Sequence, residues 1–247
     1  MDRHHGVGQP LRQRGMRREE QQKRQRPRPA SIDKEKRSSL HMDLRVYRSE
    51  SPVAAFVVAP GAGAGQNSPF MTRAARRLAG RGVSCATFDF AYMAAGRRAP
   101  DPAPRLEARW REAIDEAERL FPGLPLVIGG KSMGGRIASH VAAAGRRGLA
   151  GLVFLGYPLH PPGKPQQRRD AHLPRIAEPM LFVQGARDAF GTADEIRALA
   201  PSLQRAAVHE VAGGDHSFKV AGRGSPQPEA VLAGVLDAVA AWIRSIG

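Results

Sequence analysis

Three side chains in this 247-residue chain stand where nucleophilic acyl chemistry needs them, in the order serine, aspartate, histidine. Ser132 lies in the run GGKSMGG (129–135), where Gly130-Lys131-Ser132-Met133-Gly134 fits G-x-S-x-G. A serine hydroxyl is a weak nucleophile and requires a base. Near neutral pH that base is usually histidine. Of the eight histidines, His216 in GGDHSF follows directly on the last strand-like run. His4, His5 and His41 belong to the N-terminal tail. His140 falls in a helical run, His209 inside a strand, and His160 and His172 in a loop. The base in turn needs a carboxylate to fix its tautomer and stabilise the imidazolium. Asp188, at the end of MLFVQGARD, suits that role. Asp215 is the alternative, but it neighbours His216 in sequence, and adjacent side chains rarely face each other. Asp194 suits the first turn of a helix, and Asp89 reads as structural.

A developing oxyanion needs N–H donors. One is the backbone N–H of Met133, the residue after the serine, and the other comes from the glycine-rich loop PGAGAG (60–65), with Ala62 as the candidate. Lys131 beside the serine and His160 in the loop after LAGLVFLGY are candidate substrate-binding residues. With Lys164, Arg168 and Arg169 in the same loop they raise the idea of an acidic ester as substrate. Set against it is the plainer reading of solvated surface cations.

These residues need a scaffold that brings distant loops together, and the chain supplies one. Apolar runs such as VAAFVVA, LPLVIGG, LAGLVFLGY and PMLFVQG read as strands buried on both faces. Helical runs alternate with them at 68–82, 105–121, 132–145, 192–200 and 228–247, of which 105–121 and 228–247 are amphipathic. Strand and helix in alternation predict an α/β architecture with a mostly parallel central sheet and helices on both faces. DLRVYR (43–48) reads as an edge strand, and 91–104 as loop. In such sheets catalytic groups gather beyond the carboxyl ends of the strands. Ser132, Asp188 and His216 all follow strands in this way. The strained strand-to-helix turn around Ser132 accounts for the flanking glycines.

The formal charge of +15 raises nucleic acid as a partner. Residues 1–41, however, hold 12 Lys/Arg against 5 Asp/Glu, so nearly half of the excess sits in a Pro-, Gln- and Arg-rich tail without apolar periodicity. That segment is expected to be a disordered basic tail or the product of a start assigned too early, and 42–247 the folded domain. Arg far outnumbers Lys, as GC-rich coding would give, so nucleic-acid binding by the domain is not expected. The single cysteine, Cys85, sits in an apolar run and excludes an internal disulfide. No signal peptide or transmembrane run is visible, and the reading is cytoplasmic. The histidines are scattered without metal-ligand spacing, and no metal or cofactor is implied.

Taken together, GAGAG (61–65), GGKSMGGR (129–136), GYPLHPPGKP (156–165), QGARDAFG (184–191) and GGDHSF (213–218) resemble a group of small dienelactone-hydrolase-like α/β-hydrolases. The resemblance runs from about residue 43 to 245. It implies an α/β-hydrolase fold without a large lid domain, and a serine hydrolase acting on a small-molecule ester through Ser132, His216 and Asp188. The group also includes a subunit of a histone-acetyltransferase complex, so a non-catalytic scaffold binding a protein partner is the alternative. One position departs from the pattern: the group carries His before its first Gly-Ala-Gly, and this chain has Pro60.

Overall fold

A computed structural model describes Met1 and residues 42–247. The expectations for the N-terminal tail lie outside the described residues. Seven strands are present among the described residues: β1 (Arg45–Tyr47), β2 (Ala54–Ala59), β3 (Val83–Thr87), β4 (Leu126–Lys131), β5 (Leu149–Leu155), β6 (Met180–Gly185) and β7 (Ala206–Val211). They form one sheet in the order β1-β3-β2-β4-β5-β6-β7. β1 pairs antiparallel with β3 at the edge; every other pairing is parallel. The apolar runs behave as central strands must: all six residues of β2 are buried, as are all six of β6.

Among the described residues six helices flank the sheet: α1 (Pro69–Ala79), α2 (Ala91–Ala94), α3 (Ala103–Leu120), α4 (Met133–Ala143), α5 (Ala193–Leu199) and, after the last strand, α6 (Pro228–Ile246). Alternate side chains of one strand enter opposite cores. Ala55, Val57 and Ala59 of β2 join the core built with Trp110 and Ile114 of α3, Ile137 of α4 and Ile196 of α5. Phe56 and Val58 join the core built with Met71 and Leu78 of α1 and Val235 and Val239 of α6. This is an α/β sandwich of three layers. Between β5 and β6 the only regular structure is one 3-10 turn, Leu173–Arg175, so there is no large lid domain. Among the described residues no helix is long and apolar enough to cross a membrane.

Two local features depart from the sequence reading or sharpen it. The segment 91–104, read as loop, begins with the short helix α2, because Tyr92 is fully buried and draws one turn of chain against the core. Thr192 caps α5 through a reciprocal box: its side chain accepts from the Glu195 N–H, and Glu195 accepts from the Thr192 N–H at 2.8 Å.

The sheet order fixes the position of the site. From β2 the chain steps outward to β3 and then returns to the other side of β2 as β4. Loops leaving β2 and β4 therefore diverge, and the crevice between them is where ligands bind in such sheets. The loop 60–65 and Ser132 border that crevice.

Candidate active site

Ser132 occupies a backbone conformation of φ 49°, ψ −116°, unusual for a residue with a side chain. The neighbouring glycines make that turn possible by letting two chain segments touch. A Cβ on Gly130 would lie 2.2 Å from the Ala59 carbonyl oxygen, and one on Gly134 would lie 2.5 Å from the Pro60 oxygen. Both clashes are with the end of β2, so the first glycine and the second are required by the same neighbour. The Trp110 indole donates to the Gly134 carbonyl at 3.1 Å and holds the start of α4.

The structure brings Ser132, His216 and Asp188 together. His216 Nε2 lies 2.9 Å from Ser132 Oγ, and His216 Nδ1 lies 2.7 Å from Asp188 Oδ2. Because an ionised carboxylate only accepts, Nδ1 carries the proton and Nε2 is free to accept from the serine hydroxyl. Asp188 is buried, and its other oxygen accepts from the Phe190 N–H at 2.8 Å. The Phe190 ring packs on the imidazole with centroids 4.3 Å apart. Asp215, the alternative acid, is engaged elsewhere: its Oδ1 accepts from the N–H groups of Ser217 and Lys219 and shapes the histidine loop. Asp89 ties down the glycine-rich loop by accepting from the Gln66 N–H at 2.7 Å.

Met133 begins α4, and Ala62 lies exposed in the glycine-rich loop. Both line the same cavity of about 640 Å³ as Ser132 and His216. Pro60 is buried against the start of α4. The Gly63 N–H donates to the Tyr92 hydroxyl at 3.2 Å, which anchors the loop on its far side.

Of the two candidate substrate-binding residues, Lys131 lines the cavity and His160 does not. The Lys131 Nζ donates to the His216 carbonyl at 2.5 Å and sits 5.2 Å over the Phe218 ring. Burial lowers its pKa to about 8, against the opposing pull of Asp188 and Asp215. His160 is buried outside the cavity: Nδ1 meets the Pro161 carbonyl at 2.9 Å and Nε2 meets Glu195 at 3.1 Å. His160 is thus not among the residues that line the cavity with Ser132. A loop histidine close in sequence to the site is drawn inward by the carboxylate that also caps α5.

Two residues missing from the sequence reading pack against the Ser132–His216–Asp188 cluster. Gln184 is fully buried at the end of β6. Its Oε1 accepts from the Tyr157 N–H at 2.7 Å, and its Nε2 donates to Asp188 Oδ2 at 2.9 Å and to the Gly191 carbonyl at 2.6 Å. A polar amide in an otherwise apolar strand run was the available signal. Phe218 adopts φ 64° two residues after His216, which turns its ring beneath the Lys131 ammonium.

A family model for the alpha/beta hydrolase domain matches residues 52–244. The chain belongs to the α/β-hydrolase family. Solved structures share the fold at low identity. Est1E from Butyrivibrio proteoclasticus with bound ferulic acid has a TM-score of 0.65 at 12% identity, over 82% of this chain and 94% of that one. Dienelactone hydrolase from Anabaena variabilis gives 0.61 at 17% identity, over 82% and 90%. XC6422 from Xanthomonas campestris, described as an a/b serine hydrolase without lid, gives 0.62 at 20% identity, over 82% and 88%. In this α/β-hydrolase domain the lidless β5–β6 connection leaves the cavity open between the glycine-rich loop and Pro158.

Proposed function

We propose that this α/β-hydrolase is a serine hydrolase that cleaves an ester-type acyl bond through a covalent acyl-enzyme. The observation that carries this reading is the unbroken hydrogen-bond chain from Ser132 Oγ through His216 to the buried Asp188. Ser132 Oγ attacks the ester carbonyl while His216 Nε2 takes the hydroxyl proton. Asp188 stabilises the imidazolium so formed. The tetrahedral oxyanion receives the N–H groups of Met133 and Ala62, and α4, which starts at the site, adds the positive end of its dipole. Collapse breaks the ester C–O bond, and the proton on Nε2 passes to the departing alkoxide. Water, deprotonated by His216, then attacks the acyl-serine and returns the enzyme to its starting state. A small-molecule ester is the substrate class, since the cavity is open and of modest volume.

The assay is labelling by a fluorophosphonate probe of the parent and of a Ser132→Ala variant. Labelling of the parent alone is expected. A folded parent that takes no label would remove the reading and favour a non-catalytic scaffold.

A further inference from the structure

The cations around the cavity divide into engaged and unengaged ones. Lys131 is bonded to the His216 carbonyl. Arg168 is exposed and pairs with Asp170, its Nε donating to Oδ2 at 3.0 Å. Arg136 and Arg169 differ. Both line the cavity with Ser132, both are partly buried, and neither forms an ion pair with a carboxylate among the described residues. Arg136 stands on α4, one turn beyond the nucleophile, with Nη1 3.5 Å from His140 Nε2. Glu107, the carboxylate of that neighbourhood, meets His140 and Arg111 instead.

Burial holds the Arg136 guanidinium below its ordinary range; Tyr157 opposes it, and the charge of Arg169 adds a smaller push in the same direction as burial. Two partly desolvated guanidinium groups near each other raise the energy of the empty site, and a bound anion would offset it. Phe70, Met71, Pro158 and Phe190 give the cavity an apolar stretch of wall, beside the polar Ser68, Ser217 and Lys131. Such a wall suits a short hydrocarbon segment between the reacting carbonyl and a charged end.

We infer that Arg136 and Arg169 form an anion subsite beside Ser132, and that the substrate is an ester carrying a carboxylate or phosphate group. This rests on the hydrolase reading given above for Ser132. The subsite would position the acyl chain so that its carbonyl faces Oγ, and would reject cationic esters by like-charge repulsion.

The test compares kcat/KM for mono-4-nitrophenyl glutarate and 4-nitrophenyl pentanoate, which share a leaving group and acyl length. The parent is expected to favour the glutarate ester at least about tenfold, the usual worth of one charge-assisted contact. Arg136→Gln and Arg169→Gln should each bring the ratio close to one, and Arg168→Gln should leave it unchanged. Arg169→Glu should turn the preference toward an ester of equal length ending in trimethylammonium. Competition by propionate against methylphosphonate tells which anion the pair holds better. Equal turnover of both esters by the parent, or a preference that survives both glutamine variants, would overturn the subsite while leaving the hydrolase reading intact. If neither ester is cleaved and no phosphonate label is taken, the hydrolase reading fails. Binding of monomethyl glutarate to Ser132→Ala, followed by calorimetry, then decides the subsite alone. Affinity weakened about tenfold on adding Arg169→Glu supports it, and affinity unchanged by that variant, or no binding at all, overturns it.

Discussion

Replacing Lys131 by Met separates the stability of this site from its activity. The lysine is largely buried and its pKa falls from 10.5 to about 8. At ~1.4 kcal/mol per pH unit, keeping it charged costs on the order of 3 kcal/mol of folding stability near neutral pH. A methionine of similar length fills the same space without that cost but loses the bond to the His216 carbonyl, worth roughly 1.5–3 kcal/mol. The two effects nearly cancel, so Lys131→Met should melt close to the parent at pH 7. The sign with pH is fixed. The folded parent releases its proton near pH 8, whereas the unfolded chain holds it to about 10.5, so the parent gains stability between these values and the variant does not. Activity should move differently. Freed from Lys131, the His216 loop shifts, and a displacement of about 1 Å at a catalytic group can lower kcat on the order of 100-fold. The parent's kcat/KM should also decline above pH 8, as the charge-assisted bond weakens to one from a neutral amine; that alkaline limb should be missing in the variant. Urea melts from pH 6 to 10 and rates on 4-nitrophenyl acetate over the same range provide both readings. A stability difference that stays flat from pH 7 to 10, together with unchanged kcat in the variant, would refute the reasoning.

Gln184→Leu removes the amide between the acid loop and the β5 exit and leaves the buried Tyr157 N–H and Gly191 carbonyl unpaired. Each orphaned group costs about 1–3 kcal/mol, so a melting temperature lower by several degrees and a reduced kcat are expected from thermal scans and initial rates. In acid, His172 is the sensitive group. Burial, then His140 and two arginines, hold its pKa at about 4, so the folded protein refuses a proton that the unfolded chain accepts near 6.5. Stability should fall as pH drops through that window, and His172→Gln should flatten the fall when urea midpoints are compared at pH 7 and 4.5.

The fold was legible because burial on both faces of a parallel sheet writes itself as apolar runs, and VAAFVVA and PMLFVQG can satisfy that pattern only as interior strands. Ser132 and His216 were legible because their loops carry glycines that the backbone geometry demands. Gly134 shows why: a methyl group there would meet the end of β2, a contact from seventy residues earlier in the chain. Asp188 was separable from Asp215 by adjacency alone. The structure adds the physical reason, since Asp215 is consumed by the N–H groups of its own loop. Gln184 showed only as a polar amide in an apolar run, and Tyr92 not at all, because their importance lies in which distant backbone groups they meet, and no local pattern encodes those partners.

Charge was the least legible property of all. Lys131, His160, Arg168 and Arg169 look alike in the sequence, as basic residues near a nucleophile or in one loop. In three dimensions three of them have partners: a main-chain carbonyl, Glu195 and Asp170. What distinguishes Arg169, and Arg136 with it, is the lack of a carboxylate partner among the described residues at a position facing the cavity. A basic loop therefore has no meaning for substrate choice until each cation's partner is known. An unpaired guanidinium on a solvated surface is cheap, because water screens it. Two of them lining one cavity with Ser132 are the groups that, on the inference drawn above, a substrate of opposite charge would pair with.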